Sequence, residues 1–135
     1  MDLINSLHIA SSGMKAQGDR LRVVAQNIAN ADSTGGSPGA APYRRKVISF
    51  KNQLDRELGV ETVSVSKYGV DKSDFRKKYD PGHPAADADG YVLLPNVNPL
   101  VEMVDMREAQ RAYEANINVI EVSKGMLQQT IGLLR

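Results

Sequence analysis

Residues 100–134 read LVEMVDMREAQRAYEANINVIEVSKGMLQQTIGLL, and their apolar spacing is helical almost throughout. Met103, Met106, Gln110, Tyr113, Ile117, Ile120, Leu127, Ile131 and Leu134 step mostly by threes and fours, with Lys124 interrupting the run. A second row, Ala109, Ala112, Val119, Met126 and Leu133, flanks the first. The resulting stripe is wider than one partner helix needs. Asn98 and Pro99 supply the start: a capping side chain, then a residue whose φ is already helical and which has no amide hydrogen to leave unbonded. At 1.5 Å per residue such a helix is roughly 50 Å long.

The other end of the chain repeats the pattern. From Leu3 to about Ala31, the residues Leu3, Leu7, Ala10, Met14, Leu21, Val24 and Ile28 form a seam of period 3.5, with Gln17 in its one polar slot. Gly13 and Gly18 lie inside this helix, each costing roughly 1 kcal/mol against Ala. The helix is therefore weak in isolation, and close approach of a neighbouring helix is the expected use of the glycines. Four amides, Asn27, Asn30, Asn116 and Asn118, sit on otherwise apolar helices. Each either fixes register in a seam or lies on the wet face, and the sequence favours neither.

Between the helices, Asn27–Thr34 stops the first one and Gly35–Pro42 follows as a flexible loop. Val47–Phe50, Val60–Tyr68 and Tyr91–Leu94 carry β-favouring residues, and Asp80–Pro84 reads as a turn. The expected class is α+β: long N- and C-terminal helices pairing as a coiled-coil-like α domain, with a small β-rich middle. The expected domains are 1–32 plus 99–135, and 33–98. The middle has too few large apolar residues to stand alone, so the inference from pattern is assembly.

Composition narrows the function. The 135 residues carry 17 Lys plus Arg against 16 Asp plus Glu, a net charge of +1, without the basic excess of a nucleic-acid binder. Aromatics make up only 5%, and Trp is absent, which leaves little bulk for a core. The lack of Cys removes disulfides, thiolate metal sites and cysteine nucleophiles. No apolar run reaches membrane-spanning length, and the start lacks the pattern of a cleavable secretory signal.

The most enzyme-like stretch is Asp80, His83, Asp87 and Asp89. Setting Gly90 as the sixth residue of a calcium loop puts Ala85 first and Asn96 twelfth, so both key ligands are missing. A turn cluster is the stronger reading. The loop Gly35–Gly39 lacks the Gly-Lys-Ser/Thr ending of a phosphate cradle. The basic clusters Tyr43–Lys46 and Lys72–Lys78 are diluted by acidic neighbours, and read as solvated or intersubunit faces. His8 and His83 lack a nucleophile signature nearby. The expectation is no catalytic constellation, no cofactor, no metal, no nucleic acid and no small-molecule substrate.

Two runs then carry a family resemblance. Ser12-Gly13-Met14-Lys15-Ala16-Gln17, with Arg20-Leu21 and Asn27-Ile28-Ala29-Asn30-Ala31, resembles the N-terminal signature of bacterial flagellar rod and hook proteins. Glu102-Met103-Val104-Asp105-Met106 and Ala109-Gln110-Arg111-Ala112-Tyr113-Glu114-Ala115-Asn116 resemble their second signature. Tyr43–Lys46, Pro81–Ala85 and Gly90–Asn98 extend the likeness across nearly the whole chain, with Gly35–Pro42 a fuller glycine-rich insert than the pattern has.

The resemblance implies a structural protein of the flagellar basal body, exported by the flagellar type III apparatus without a cleaved signal peptide. It implies assembly in the periplasm, with other rod proteins and with copies of itself, into a tube that transmits torque. It further implies terminal helices that order together on assembly. On that basis the subunit-packing positions are Leu3, Leu7, Gly13, Met14, Gly18, Leu21, Val24 and Ile28 on the first helix. On the second they are Met103, Met106, Tyr113, Ile117, Ile120, Leu127 and Ile131. A cytoplasmic coiled-coil adaptor would fit the seams alone, and a small metal-dependent enzyme would need the Asp80–Asp89 cluster.

Overall fold

The computed structural model describes residues 3–134. Helix α1 spans Leu3–Ala29, strands β1 Lys46–Asp55, β2 Val60–Val70, β3 Arg76–Tyr79 and β4 Tyr91–Leu94 follow, and helix α2 spans Pro99–Leu133. The class is α+β, as the two periodic stretches and the β-rich middle predict. β1 and β2 form one two-stranded sheet and β3 and β4 another.

Each element begins or ends where local chemistry dictates. The α1 C-terminus closes with Asn30 N bonded to Gln26 O and Ala31 N to Ile28 O, while the Asn30 side chain donates to Gln26 O at 2.8 Å. At the start of α2, Asn98 Oδ1 accepts from Leu100 N at 3.1 Å and Asn98 O accepts from Glu102 N. This is the cap the sequence predicts, with Pro99 as the first helical residue. The β1–β2 connection turns on Gly59, whose φ of 65° suits a residue without a side chain. Asp55 Oδ1 accepts from Glu57 N and Leu58 N across the same turn.

β3 is an element the sequence does not announce. Arg76-Lys77-Lys78-Tyr79 is exposed along its whole length and shows no alternation. It is a strand because β4 pairs with it, antiparallel, from Arg76↔Leu94 to Tyr79↔Tyr91. Gly90 ends the connecting turn at φ 84°, and a Cβ there would stand 3.0 Å from the Tyr79 ring.

The chain divides into two compact units. One comprises residues 3–21, Ile48–Lys67 and residues 107–134; the other comprises Arg22–Val47 and Tyr68–Met106. Their interiors differ in kind. The first buries small side chains, among them Ala10, Ala16, Ala109 and Ser123. The second holds the four largest fully buried side chains: Glu102, Val97, Asn27 and Pro95. Two of those four are polar, which requires hydrogen-bond partners for both.

Candidate functional site

The long helices carry two kinds of surface, one turned inward and one outward. On α2 the fully or nearly buried row is Glu102, Ala109 and Ser123, with Asn116 half-buried in the same series of sevens. Beside it Met106, Tyr113, Ile120 and Leu127 are half-buried, giving the four-three alternation of a seam. In the first unit that seam meets α1. A Cβ at Gly13 would stand 3.0 Å from the Asn116 side-chain amide, and Arg20 pairs with Glu108 at 3.6 Å. So Gly13 does admit a neighbouring helix, and that helix is α2 of its own chain. Gly18 has nothing within 4 Å of its Cβ position.

The predicted packing positions divide accordingly. Val24 is buried, and Leu3, Leu7, Met14, Leu21 and Ile28 are half-buried along α1. On α2, Met106, Tyr113, Ile117, Ile120 and Leu127 are half-buried, whereas Met103 and Ile131 are more than half exposed. Outward-facing apolar residues extend further than that. Val119, Val122, Met126 and Leu133 form an exposed row on the first unit's part of α2. Leu100, Val101 and Val104 join Met103 as exposed residues at the start of α2.

The second unit contains the group of residues with the densest polar chemistry. Asn27 uses its whole amide: Nδ2 donates to Lys46 O at 2.9 Å and to Glu102 Oε2 at 3.1 Å, while Oδ1 accepts from Lys46 N at 2.9 Å and from Tyr43 Oη at 2.8 Å. The bonds to Lys46 reproduce those a neighbouring strand would make, so the side chain acts as a short piece of β partner. Glu102 accepts in addition from Arg45 Nε, and the Arg45 guanidinium reaches Asp105 at 3.5 Å. The Arg45 backbone is held from the other side, with N donating to Asn96 Oδ1 and O accepting from Asp71 N, both at 2.8 Å. Arg44 lies 4.2 Å from the centre of the Phe75 ring.

Two groups titrate abnormally as a result. Burial, and then the Glu102 charge, raise the Tyr43 phenol above its usual range. Hydrogen bonds from the Ser73 backbone and hydroxyl, and then the Arg45 and Arg44 charges, hold the Asp71 carboxyl low.

This arrangement corrects one expectation. The Tyr43–Lys46 run was expected to be a solvated or intersubunit face, yet Arg45 and Tyr43 are committed to Glu102 and Asn27 within the chain. It also resolves the open question about the amides. Asn27 is a buried register residue, Asn30 and Asn116 are half-buried and donate to Gln26 O of α1 and Ala112 O of α2, and Asn118 is exposed. Sequence reasoning singled out Asn27 but missed Glu102 as its partner. An acidic residue in a helix's first turn reads as ordinary dipole compensation. The available signal was that Glu102 stands seven residues before Ala109 and fourteen before Asn116, on one helical row.

The remaining candidates hold no reactive geometry. Asp87 Oδ1 accepts from Asp89 N and Tyr91 N, and His83 Nδ1 accepts from Ala85 N, which is turn chemistry. Among the described residues no group of three or more acidic or histidine side chains is placed to hold a metal ion. A cleft of about 700 Å³ separates Lys15 and Asp19 of α1 from the hairpin residues Asp55, Arg56, Glu57 and Ser64. Its charges are of both signs. Among the described residues no helix is long and apolar enough to cross a membrane.

Comparison with known proteins finds matches at both ends of the chain. Residues 7–36 match the family described as flagella basal body rod protein. Residues 88–133 match the flagellar basal body rod FlgEFG protein C-terminal family. Among curated relatives, the flagellar basal-body rod protein FlgC of Agrobacterium fabrum is 56% identical over 94% of this chain and 91% of its own length. FlgC of Salmonella typhimurium is 44% identical over 98% of both chains, and FlgC of Bacillus subtilis 39% over 97% of both. Matched at both helical ends and aligned over nearly its whole length, the chain belongs to the flagellar basal-body rod protein family.

Proposed function

We propose that this chain is a rod subunit that acts by packing: its terminal helices lie among those of other rod proteins and of further copies of itself, forming the periplasmic drive shaft. One observation carries this reading. A row of large apolar side chains of α2 stands outside the chain's own core, with Val122 60%, Met126 50% and Leu133 88% exposed. A protein that functions alone does not leave a row of that length in water. Long helices sharing many such contacts resist twist, and a heterologous contact repeated around an axis produces an open tube.

Under this reading the positions from Leu3 to Ile28 on α1 and from Met103 to Ile131 on α2 serve two purposes. The half-buried ones hold α1 and α2 to each other, and the exposed ones, with Gly18, receive neighbours. The chain reaches its place through the flagellar type III export apparatus with its N-terminus intact. Membership in the flagellar basal-body rod protein family supports a mechanical role.

The test is mass spectrometry of isolated hook–basal bodies against the cytoplasmic fraction. Enrichment in the basal bodies, with the N-terminal peptide uncleaved, is the expected result. A chain found only in the cytoplasm would refute both the rod placement and the export route.

A further inference from the structure

Two exposed stretches carry opposite charges that the chain itself leaves largely unpaired. The end of the β1–β2 hairpin, residues 54–61, reads LDRELGVE, three carboxylates against Arg56. Residues 72–79, which include β3, read KSDFRKKY, four cations against Asp74. Among the described residues, Glu57, Glu61, Lys72, Lys77 and Lys78 take part in no salt bridge. Each stretch also shows apolar surface. Leu54 is 58% exposed at the hairpin end, while Tyr79 and Tyr91 lie exposed on the β3–β4 pair, their rings edge to face at 5.3 Å. Among the described residues β3 pairs with β4 alone, so its other edge is open.

We propose that the β3 edge of one copy receives the hairpin end of the next copy in the assembled shaft. Glu57 and Glu61 then face Lys77 and Lys78, and Leu54 lies on the Tyr79 and Tyr91 rings. The proposal rests on the rod reading and names one contact within it.

Charge decides which pairings form. An open strand edge offers unpaired amide and carbonyl groups to any extended segment. A second β3 is a poor partner, because it would bring Arg76, Lys77 and Lys78 against the same three cations. The acidic stretch Asp80–Asp89 is spent on turns, where Asp87 Oδ1 accepts from Asp89 N and Tyr91 N. The hairpin end, by contrast, is strand on both sides of its turn, exposed and acidic. The two surfaces differ, so the contact is heterologous: each copy offers one and receives one, and the series does not close on a pair. Exposed ion pairs are individually weak and are screened by salt. The contact therefore sets register between copies already held by their helices, and does not by itself make the free protein oligomeric.

The chain has no Cys, so introduced thiols report on it without background. Glu57→Cys and Lys78→Cys both alter exposed side chains. Isolated hook–basal bodies carrying the double variant are treated with a short bis-maleimide. The expected product is a series of multimers of this chain, extending beyond the dimer, with none from either single variant. Monomer alone, in basal bodies that contain the double variant, would overturn the proposal. So would a link closed within one chain, a dimer from a single variant, or a link to a different protein. Charge exchange decides the matter if the cysteines keep the chain out of the shaft. Lys77→Glu with Lys78→Glu is expected to shrink the swimming halo about twofold, and adding Glu57→Lys with Glu61→Lys to restore most of that loss. No loss from the first pair, or a loss the second pair does not repair, would also overturn it. Absence of the unaltered chain from basal bodies would instead refute the rod reading, so the two failures are distinct.

Discussion

Asn27 has no spare hydrogen-bonding capacity: its two donors and its acceptor oxygen serve Lys46, Glu102 and Tyr43. Its neighbours would therefore be left unbonded in a buried place if it were truncated. Asn27→Ala is expected to lower unfolding free energy by about 2–4 kcal/mol, read from the urea midpoint at unchanged slope. Asn27→Asp should cost at least as much, because it sets a carboxylate against the Glu102 oxygen that Nδ2 now approaches at 3.1 Å. If Asp were tolerated better than Ala, the bond to Glu102 would not be the one that matters. The same cluster predicts pH behaviour. The Tyr43 phenol is raised by burial and then by the Glu102 charge, so its folded pKa exceeds its unfolded one. Stability from this source is complete below the usual tyrosine pKa and is lost as pH rises through the raised value. Followed by phenolate absorbance, the titration should contain a late step above the usual tyrosine range, and Tyr43→Phe should remove it. The Asp71 carboxyl, lowered first by Ser73 and then by Arg45 and Arg44, has the opposite sign. Its contribution is present above the usual carboxylate pKa and is lost as pH falls through the lowered one.

Among the elements, the helices were the most legible and their inner faces the least. Met106, Tyr113, Ile120 and Leu127 stand out by apolarity and do lie towards the chain's interior. The row beside them does not stand out, because Glu102, Ala109, Asn116 and Ser123 are small or polar, and apolar counting favours Met103 and Ile117 one residue on. What selects the true row is close approach at Gly13 and the bond to Asn27, both long-range facts that no local window contains. The strand Arg76–Tyr79 was hidden for the same reason, since its state depends on β4 and not on its own residues. The cap at Asn98–Pro99 was readable because capping is local. Gly18 allows a sharp element-scale test. It has open space around it inside a continuous helix, so Gly18→Ala should raise the helicity of the free protein and stabilise α1 by about 0.5–1 kcal/mol. If a neighbouring subunit approaches there, the same change should impair swimming. Gain of helicity with normal motility would remove Gly18 from the packing positions.

At the scale of the molecule, the question is whether the outward apolar row belongs to folding or to assembly, and a substitution there separates the two. Val122 is 60% exposed and lies on the first unit's part of α2, between Val119 and Met126 on the same outward row. A charge placed on it meets water in the free protein, so Val122→Glu should change unfolding free energy by no more than about 0.5 kcal/mol. In an assembled shaft the same carboxylate would be buried against a neighbour's apolar surface without a partner, at a cost of several kcal/mol per subunit. The cost recurs at every copy, so incorporation should fail even though folding and export proceed. The comparison variant is Ala109→Leu, at a position fully buried within the chain, where added volume has to displace what packs against it. It should destabilise the free protein by about 1–3 kcal/mol before any question of assembly arises. Together the two variants predict opposite patterns: Val122→Glu stable but absent from basal bodies, Ala109→Leu unstable from the outset. A Val122→Glu strain that swims normally, with the variant present in its basal bodies, would show that this face of α2 stays in water in the rod, and the packing role would pass to the exposed residues at the start of the helix.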